Sequence, residues 1–344
     1  MNTTPHTTPA EDGFYMPPDW GRHERCWMAW PCRLGAWGEE IDLACLATAS
    51  LARAIAKYEP VTMLVPQALI PVARLQLGSL VTIWEAELDD SWSRDIAPSF
   101  LINGEGGLAG AVFDFNAWGN KYRDYHNDAK LGAWMLEELD LPCYHVPMTL
   151  EGGSIHVDGS GTLITTESVA FNSDRNPTMD NRQIEERLAM YFGIRKVIWL
   201  PDGLIGDKAD GQVNKVARFV SPGRMMCAVA GHGNDPNGDR LSDNLRRLKA
   251  ERDALGRPLE LLEMPLPEPL REQNGRYLTR SYLDFYLGTG AVYVPAFDDA
   301  ADESAARLIG DAFPDREVVQ LDMADIAHRG GAIQCMTQQQ PKVS

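Results

Sequence analysis

The sequence predicts an α/β protein organised as one domain of repeated strand–helix–strand units. Three observations carry this expectation. Short β-like runs alternate with amphipathic helical stretches along most of the chain. The alternation recurs about five times at a spacing of roughly 60–70 residues, a pattern of internal structural repetition. No Gly/Ser-rich linker or charge run separates any two units, so a single domain is expected over 14–344, behind a disordered tail over 1–13.

Taken in order, PVTMLV (60–65) is an apolar, β-branched run that predicts a strand, followed by a helix over 66–77 and a second strand in SLVTIWEAEL (79–88). GLAGAVFDF (107–115) leads to a helix near 127–139 and to CYHVPM (143–148). SIHVDGSGTLITTE (154–167) reads as a hairpin turning at Asp158-Gly159-Ser160-Gly161, where Gly and Asp tolerate the turn conformation. A helix near 181–192 and KVIWLP (196–201) complete that unit. ARFVSPGRMMCAVA (217–230), a helix near 238–254 and ELLEMPLP (260–267) form the next. TGAVYVPAF (289–297), a helix near 301–312 and EVVQLDM (317–323) form the last.

The 344 residues carry 32 Lys+Arg against 49 Asp+Glu, a net charge of −17, with 44% hydrophobic residues. A surface of that sign repels phosphate backbones and anionic headgroups, so neither nucleic acid nor membrane is an expected partner. No run approaches the roughly 18 apolar residues of a membrane span, and MNTTPHTTPAEDG lacks the basic and apolar regions of an export signal. A cytoplasmic protein is expected, and the Asn2-Thr3-Thr4 sequon carries no meaning without export. The six cysteines form no CxxC pair; reduced thiols are expected, five of them filling the core.

The densest polar clusters fall where strands should end: DDSWSRD (89–95), EGG (151–153), GDKADGQVNK (206–215) and HRGGAIQCMTQQQP (328–341). Cys335 lies between Gly330-Gly331 and Gln338-Gln339-Gln340 instead of inside an apolar stripe; an inert core thiol and a nucleophile both fit that setting. Glu151, Asp89, Asp90 and Asp95 fit solvated loop carboxylates. Beside Trp92 they equally describe a pocket for a small planar cation, with carboxylates on the N–H edges and an indole over the face. Arg94 suits either orienting Asp95 or touching substrate. No metal spacing, GxxxxGK[ST] loop or GxSxG elbow is present, and His6, His23, His126, His145, His156, His232 and His328 are scattered.

These segments resemble the agmatine deiminase family, the bacterial peptidylarginine-deiminase-like branch of the guanidino-group-modifying superfamily. The resemblance runs from MPPDWGRHERCWMAWP (16–31) through DDSWSRD, FNAWGNKY (115–122), LEGGSIHVDGSGTLITTE (150–167), DRNP (174–177) and PAFDD (295–299) to CMTQQQP (335–341). It implies a five-bladed α/β propeller around a central pocket, and a cytoplasmic homodimer or higher homo-oligomer that needs no cofactor. Its implied roles place the nucleophile at Cys335, a catalytic carboxylate at Glu151 and a substrate-binding carboxylate at Asp95, with Trp92 in the pocket wall; Asp90, from the acidic cluster beside Trp92, is expected as a further substrate-binding carboxylate. The implied chemistry is attack of a thiolate on a planar guanidinium carbon, a covalent thioether, and its hydrolysis by a base-activated water.

The chain departs from the family where chemistry is concentrated. A segment normally close to DETDGHVDN reads Asp207-Lys208-Ala209-Asp210-Gly211-Gln212-Val213-Asn214-Lys215 here, so Gln212 stands at the catalytic histidine and Asn214 at a guanidinium-binding aspartate. A glutamine cannot shuttle protons near neutral pH, and asparagine keeps aspartate's shape without its charge. Gln334 replaces a second histidine of a segment usually close to HGGGGIHC, and Ile96-Ala97 replace Thr-Gly. The expected function is hydrolysis of a C–N bond in a small guanidine- or amidine-like compound less cationic than agmatine, through Cys335. The alternatives are agmatine deimination with a relocated acid–base group, His156 or His328, and a catalytically silent ligand-binding protein.

Overall fold

The structure, a computed structural model, describes residues 7–231, 233–272 and 274–343. Among them, five sheets repeat one arrangement: a strand pairs antiparallel with a central strand, and the chain then crosses through a helix to a strand parallel to the centre. In the first sheet Ser99–Asn103 is antiparallel to Leu108–Asp114, which reaches Cys143–Thr149 through the helix Asp128–Glu138. In the second, His156–Val157 and Thr162–Thr166 form the expected hairpin, and Asn181–Phe192 crosses to Lys196–Leu200. Ala217–Ser221, Arg224–Val229 and Glu260–Pro265 repeat this around the helix Gly238–Ala250. Tyr286–Leu287, Ala291–Ala296 and Glu317–Asp322 do so around Asp302–Ala312.

The fifth sheet joins distant parts of the chain. Gln338–Pro341 is antiparallel to His23–Ala29, which continues in parallel to Val61–Val65 and Val81–Glu85 through the helices Ile41–Ile55 and Ile70–Leu77. Val61–Val65 is buried along its whole length, as expected of a strand covered on both faces. The helix Asn181–Phe192 starts at a capping box between Asp180 and Gln183 and stops at Gly193, whose φ of 65° suits a glycine. A Cβ there would meet Tyr15 Cβ at 2.7 Å, so the helix end also admits the N-terminal segment.

Of the expected tail, residues 1–6, with His6 and the sequon, lie outside the described residues, as does His232. Residues 7–13 are a docked turn instead of a free tail. Thr8 bonds Glu11 through its backbone N–H and hydroxyl, Ala10 donates its N–H to Met190, and Tyr144 donates its hydroxyl to Asp12 at 2.6 Å. The helix expected to reach 254 ends at Ala250, where Glu251 turns extended and accepts Lys196 at 2.7 Å. All six cysteines are free.

Candidate active site

A cavity of 330 Å³ opens where the loops following several strands converge. Its floor is Cys335. The loop carrying this residue is tied down from beneath by Asp284, whose Oδ1 accepts the N–H of Gln334 (2.9 Å) and Cys335 (3.2 Å) and whose Oδ2 accepts that of Ala332 (2.9 Å). The Cys335 thiol donates to the same Oδ2 at 3.4 Å. On its other side, Asn214 Nδ2 lies 3.4 Å from Sγ and donates to Gln334 Oε1 at 2.7 Å. Burial, and then the charge of Asp284, push the thiol well above the usual cysteine range against the opposing pull of Lys215. The sulfur therefore rests protonated.

Glycines let the walls close on this floor. A Cβ at Gly331 would lie 2.5 Å from Trp92 Cζ3 and 3.1 Å from Cys335 Sγ, so the indole covers the thiol because that position is bare. Trp92 is held in turn by stacking on Trp37, with centroids 5.6 Å apart. Asp90 is buried beneath this turn, bonded by Arg33 Nε, Trp37 Nε1 and the Ser91 N–H. Asp128, accepting the N–H groups of Asp89 and Asp90, completes the acidic cluster, and burial raises its carboxyl to about 7.

Asp95 reaches the cavity wall with both carboxylate oxygens already hydrogen-bonded. Its Oδ1 takes the Gly153 N–H (3.0 Å) and Gln212 Nε2 (3.1 Å); its Oδ2 takes Trp118 Nε1 (2.8 Å) and Gln212 Nε2 (3.1 Å). Burial nevertheless raises its carboxyl above the usual range. Trp118 is aimed by an unusual backbone: Ala117, Trp118, Gly119 and Asn120 all have positive φ, at 55°, 57°, 84° and 60°, closed by Asn116 accepting the Gly119 N–H. Three of these are not glycine, which stores about 1–2 kcal/mol each. The neighbouring EGG glycines permit contact: a Cβ on Gly152 would meet Arg94 O at 2.2 Å, and one on Gly153 would meet Gln212 Oε1 at 2.6 Å.

Glu151 stands behind this wall and does not line the cavity. It is fully buried, accepting Arg175 Nε at 2.8 Å and Ser154 Oγ at 3.0 Å, while Arg175 continues to Asp210 at 2.7 Å and to Ala209 O. Burial outweighs the arginine and leaves its carboxyl raised. Gln212 and Asn214 flank a turn fixed by Asp207, which accepts the Gly211 and Gln212 N–H groups at 2.9 Å and pairs with buried Lys215 at 2.5 Å. Lys215 also donates to Gly330 O at 2.7 Å, joining this turn to the cysteine loop.

The structure thus gathers Cys335, Trp92, Asp95 and Gln212 at the cavity, places Asn214 against the sulfur, and sets Glu151 and Asp90 in the supporting layer. Arg94 neither orients Asp95 nor lines the cavity; its Nε points to Gln334 O at 3.4 Å. His156 uses both ring nitrogens, one on Asp19 at 3.0 Å and one on the Phe219 N–H at 3.2 Å, and neither it nor exposed His328 lines the cavity. Among the described residues no cluster of His, Cys, Asp and Glu suits a metal, and no helix is long and apolar enough to cross a membrane. Sequence reasoning passed over Asp284, although an aspartate inside the aromatic run of 282–287 is the signal of a buried charge with work to do. It also passed over Arg175, and over Lys121, Arg276 and Arg329 as cavity-lining cations beside Lys208.

A buried thiol on the floor of a small polar cavity, in a mixed α/β fold of five such sheets, fits a cysteine-dependent C–N hydrolase. The comparisons agree: residues 15–341 match the Porphyromonas-type peptidyl-arginine deiminase family, and the chain belongs to that family. It is 41% identical to a putative agmatine deiminase of Legionella pneumophila over 98% of this chain and 97% of that one. It is 39% identical to the agmatine deiminase of Pseudomonas fluorescens over 98% of both chains. The solved agmatine deiminase of Enterococcus faecalis superposes with a TM-score of 0.94 at 32% identity, again over 98% of each chain. The mixed α/β fold is the pentein type of these enzymes.

Proposed function

We propose that this protein hydrolyses a C–N bond in a small planar compound whose reacting group is neutral, a urea-like or unprotonated amidine-like group, through a covalent bond to Cys335. The observation that carries the reading is the crowded Asp95: a guanidinium needs free carboxylate oxygens, and here Trp118, Gly153 and a Gln212 amide shared between both oxygens leave little of them open. Asn214 beside the sulfur supplies a neutral amide, and its Oδ1 is buried without a partner, ready to accept an N–H of the substrate.

Asp284 supplies the missing proton acceptor. In the first half-reaction the Cys335 proton passes to Asp284 Oδ2, Sγ bonds to the substrate carbon, the C–N bond breaks, and the proton leaves with the amine as ammonia. In the second, the oxygen of a water bonds to carbon, the C–S bond breaks, and the proton released by that water returns to the sulfur. One water is consumed and one ammonia released. We further propose that the five sheets stand as blades of a propeller around the cavity, which the fivefold repeat of the strand–helix–strand arrangement supports.

Alkylation followed by intact-protein mass spectrometry tests the reading. Neutral 2-chloroacetamide is expected to label Cys335 faster than cationic 2-chloroacetamidine. Faster labelling by the cation would return the site to agmatine-like substrates, and no labelling by either would remove the hydrolase.

A further inference from the structure

Resting on the neutral-group reading above, we infer that the substrate carries one carboxylate on the arm leading away from its reacting group, received by Lys208 at the rim of the cysteine loop.

Among the described residues, four cationic side chains line the cavity, Lys121, Lys208, Arg276 and Arg329, against one carboxylate, the crowded Asp95. Three of the cations are already matched from behind. Lys121 pairs with Asp210 at 2.6 Å, Arg276 holds Glu272 through two bonds of 3.1 and 2.8 Å, and Arg329 bonds Glu40. None of these three carboxylates lines the cavity, so the surface a ligand meets is positive while the layer behind it is balanced. Lys208 is the exception. The only described hydrogen bond of its ammonium is to His328 O at 3.0 Å, and Glu272 acts on it through charge without bonding it, which leaves two of the three ammonium donors for a ligand.

The position of this lysine is built, not incidental. Its side chain lies along Gly330, where a Cβ would meet Lys208 Cδ at 2.9 Å and where φ is 104°, so the glycine before the Cys335 turn both bends the loop and admits the lysine. Burial, and then the charge of Arg276, hold its ammonium down at about 8, and a bound anion would relieve that pressure. One unmatched cation suits a singly charged carboxylate better than a phosphate dianion. A cavity of 330 Å³ is of the size that encloses a small molecule.

Calorimetric binding of three probes with the same reach distinguishes the cases: 4-ureidobutyrate, neutral N-butylurea and cationic agmatine, each with the unmodified protein and with Lys208→Met. The expected result is at least tenfold tighter binding of 4-ureidobutyrate than of N-butylurea, an advantage lost in Lys208→Met while N-butylurea affinity stays the same, which also shows that the variant is folded. Equal or weaker binding of 4-ureidobutyrate, including none, overturns the inference, as does an advantage that survives in Lys208→Met. Ammonia release measured in parallel reads the hydrolase separately: preferential binding without ammonia removes the reaction and leaves the carboxylate site standing.

Discussion

Replacing Asp284 by asparagine separates the roles this residue combines. The carboxylate accepts three backbone N–H groups and one thiol. If the amide oxygen of Asp284→Asn takes the place of Oδ1, the bonds to Gln334 and Cys335 survive, and the NH2 group faces the Ala332 N–H and the sulfur. One charge-assisted backbone bond is lost, about 1.5–3 kcal/mol, readable as a lower urea midpoint. Turnover falls much further, by about 10²–10⁴, because the proton acceptor is gone. A substrate-independent signature accompanies this loss. The charge of Asp284 is one of the causes that hold the Cys335 thiol above its usual range, so its removal in Asp284→Asn should favour the thiolate and speed alkylation even as turnover falls. Iodoacetamide labelling of Cys335 from about pH 6 to 8, followed by mass spectrometry, should therefore run faster in Asp284→Asn than in the unmodified protein. Identical labelling rates in the two proteins, with turnover intact, would refute the assignment of Asp284 as the base.

Asn214→Asp returns a negative charge beside the sulfur, and we expect the labelling preference to move about tenfold toward 2-chloroacetamidine; an unchanged ratio would show that Asn214 does not set charge selectivity. Gly152→Ala brings a Cβ to 2.2 Å from the backbone oxygen of Arg94 and should not accumulate as folded protein, whereas Gly153→Ala presses on the Gln212 side chain at 2.6 Å and should fold with weakened ligand binding. Circular dichroism and calorimetry tell them apart, and equal folding of both would contradict the packing. Asp128 is raised to about 7 by burial and then, in opposition to its backbone hydrogen bonds, by Asp90 and Asp89. Between its unfolded value near 4 and that point the folded protein binds the extra proton, so stability falls as pH rises, by at most about 1.4 kcal/mol per unit. Urea midpoints of Asp128→Asn should lack this slope between pH 4 and 7.

Most strands and helices between residues 60 and 323 were legible because apolar alternation and helical periodicity are local, and about five units were countable from the sequence; Ser99–Asn103 and the two-residue Tyr286–Leu287 were not among them. The helix Ile41–Ile55 was not anticipated either, although Ala44, Thr48, Leu51, Ala52 and Ile55 are buried at helical spacing along one face. Gln338–Pro341 was equally hidden, since three glutamines and a proline look like a loop until His23–Ala29 supplies the partner. At the site, polar clusters at strand ends pointed to Cys335, Trp92 and Asp95, and the family resemblance singled out Gln212. That Glu151 faces Arg175 instead of the cavity, and that Asp284 lies beneath the sulfur, depend on contacts between loops more than 20 residues apart, which no local pattern encodes.

The sheet that unites Gln338–Pro341 with His23–Ala29 has a kinetic consequence. Trp27 and Gln340, bonded at 2.9 Å, are 313 residues apart, so their meeting closes a loop that spans nearly the whole chain, and Cys335 lies a few residues from that seam. Contacts of such separation form late, after the other sheets have assembled from neighbours in the chain. During refolding, far-ultraviolet ellipticity should therefore return before the thiol acquires its protected reactivity.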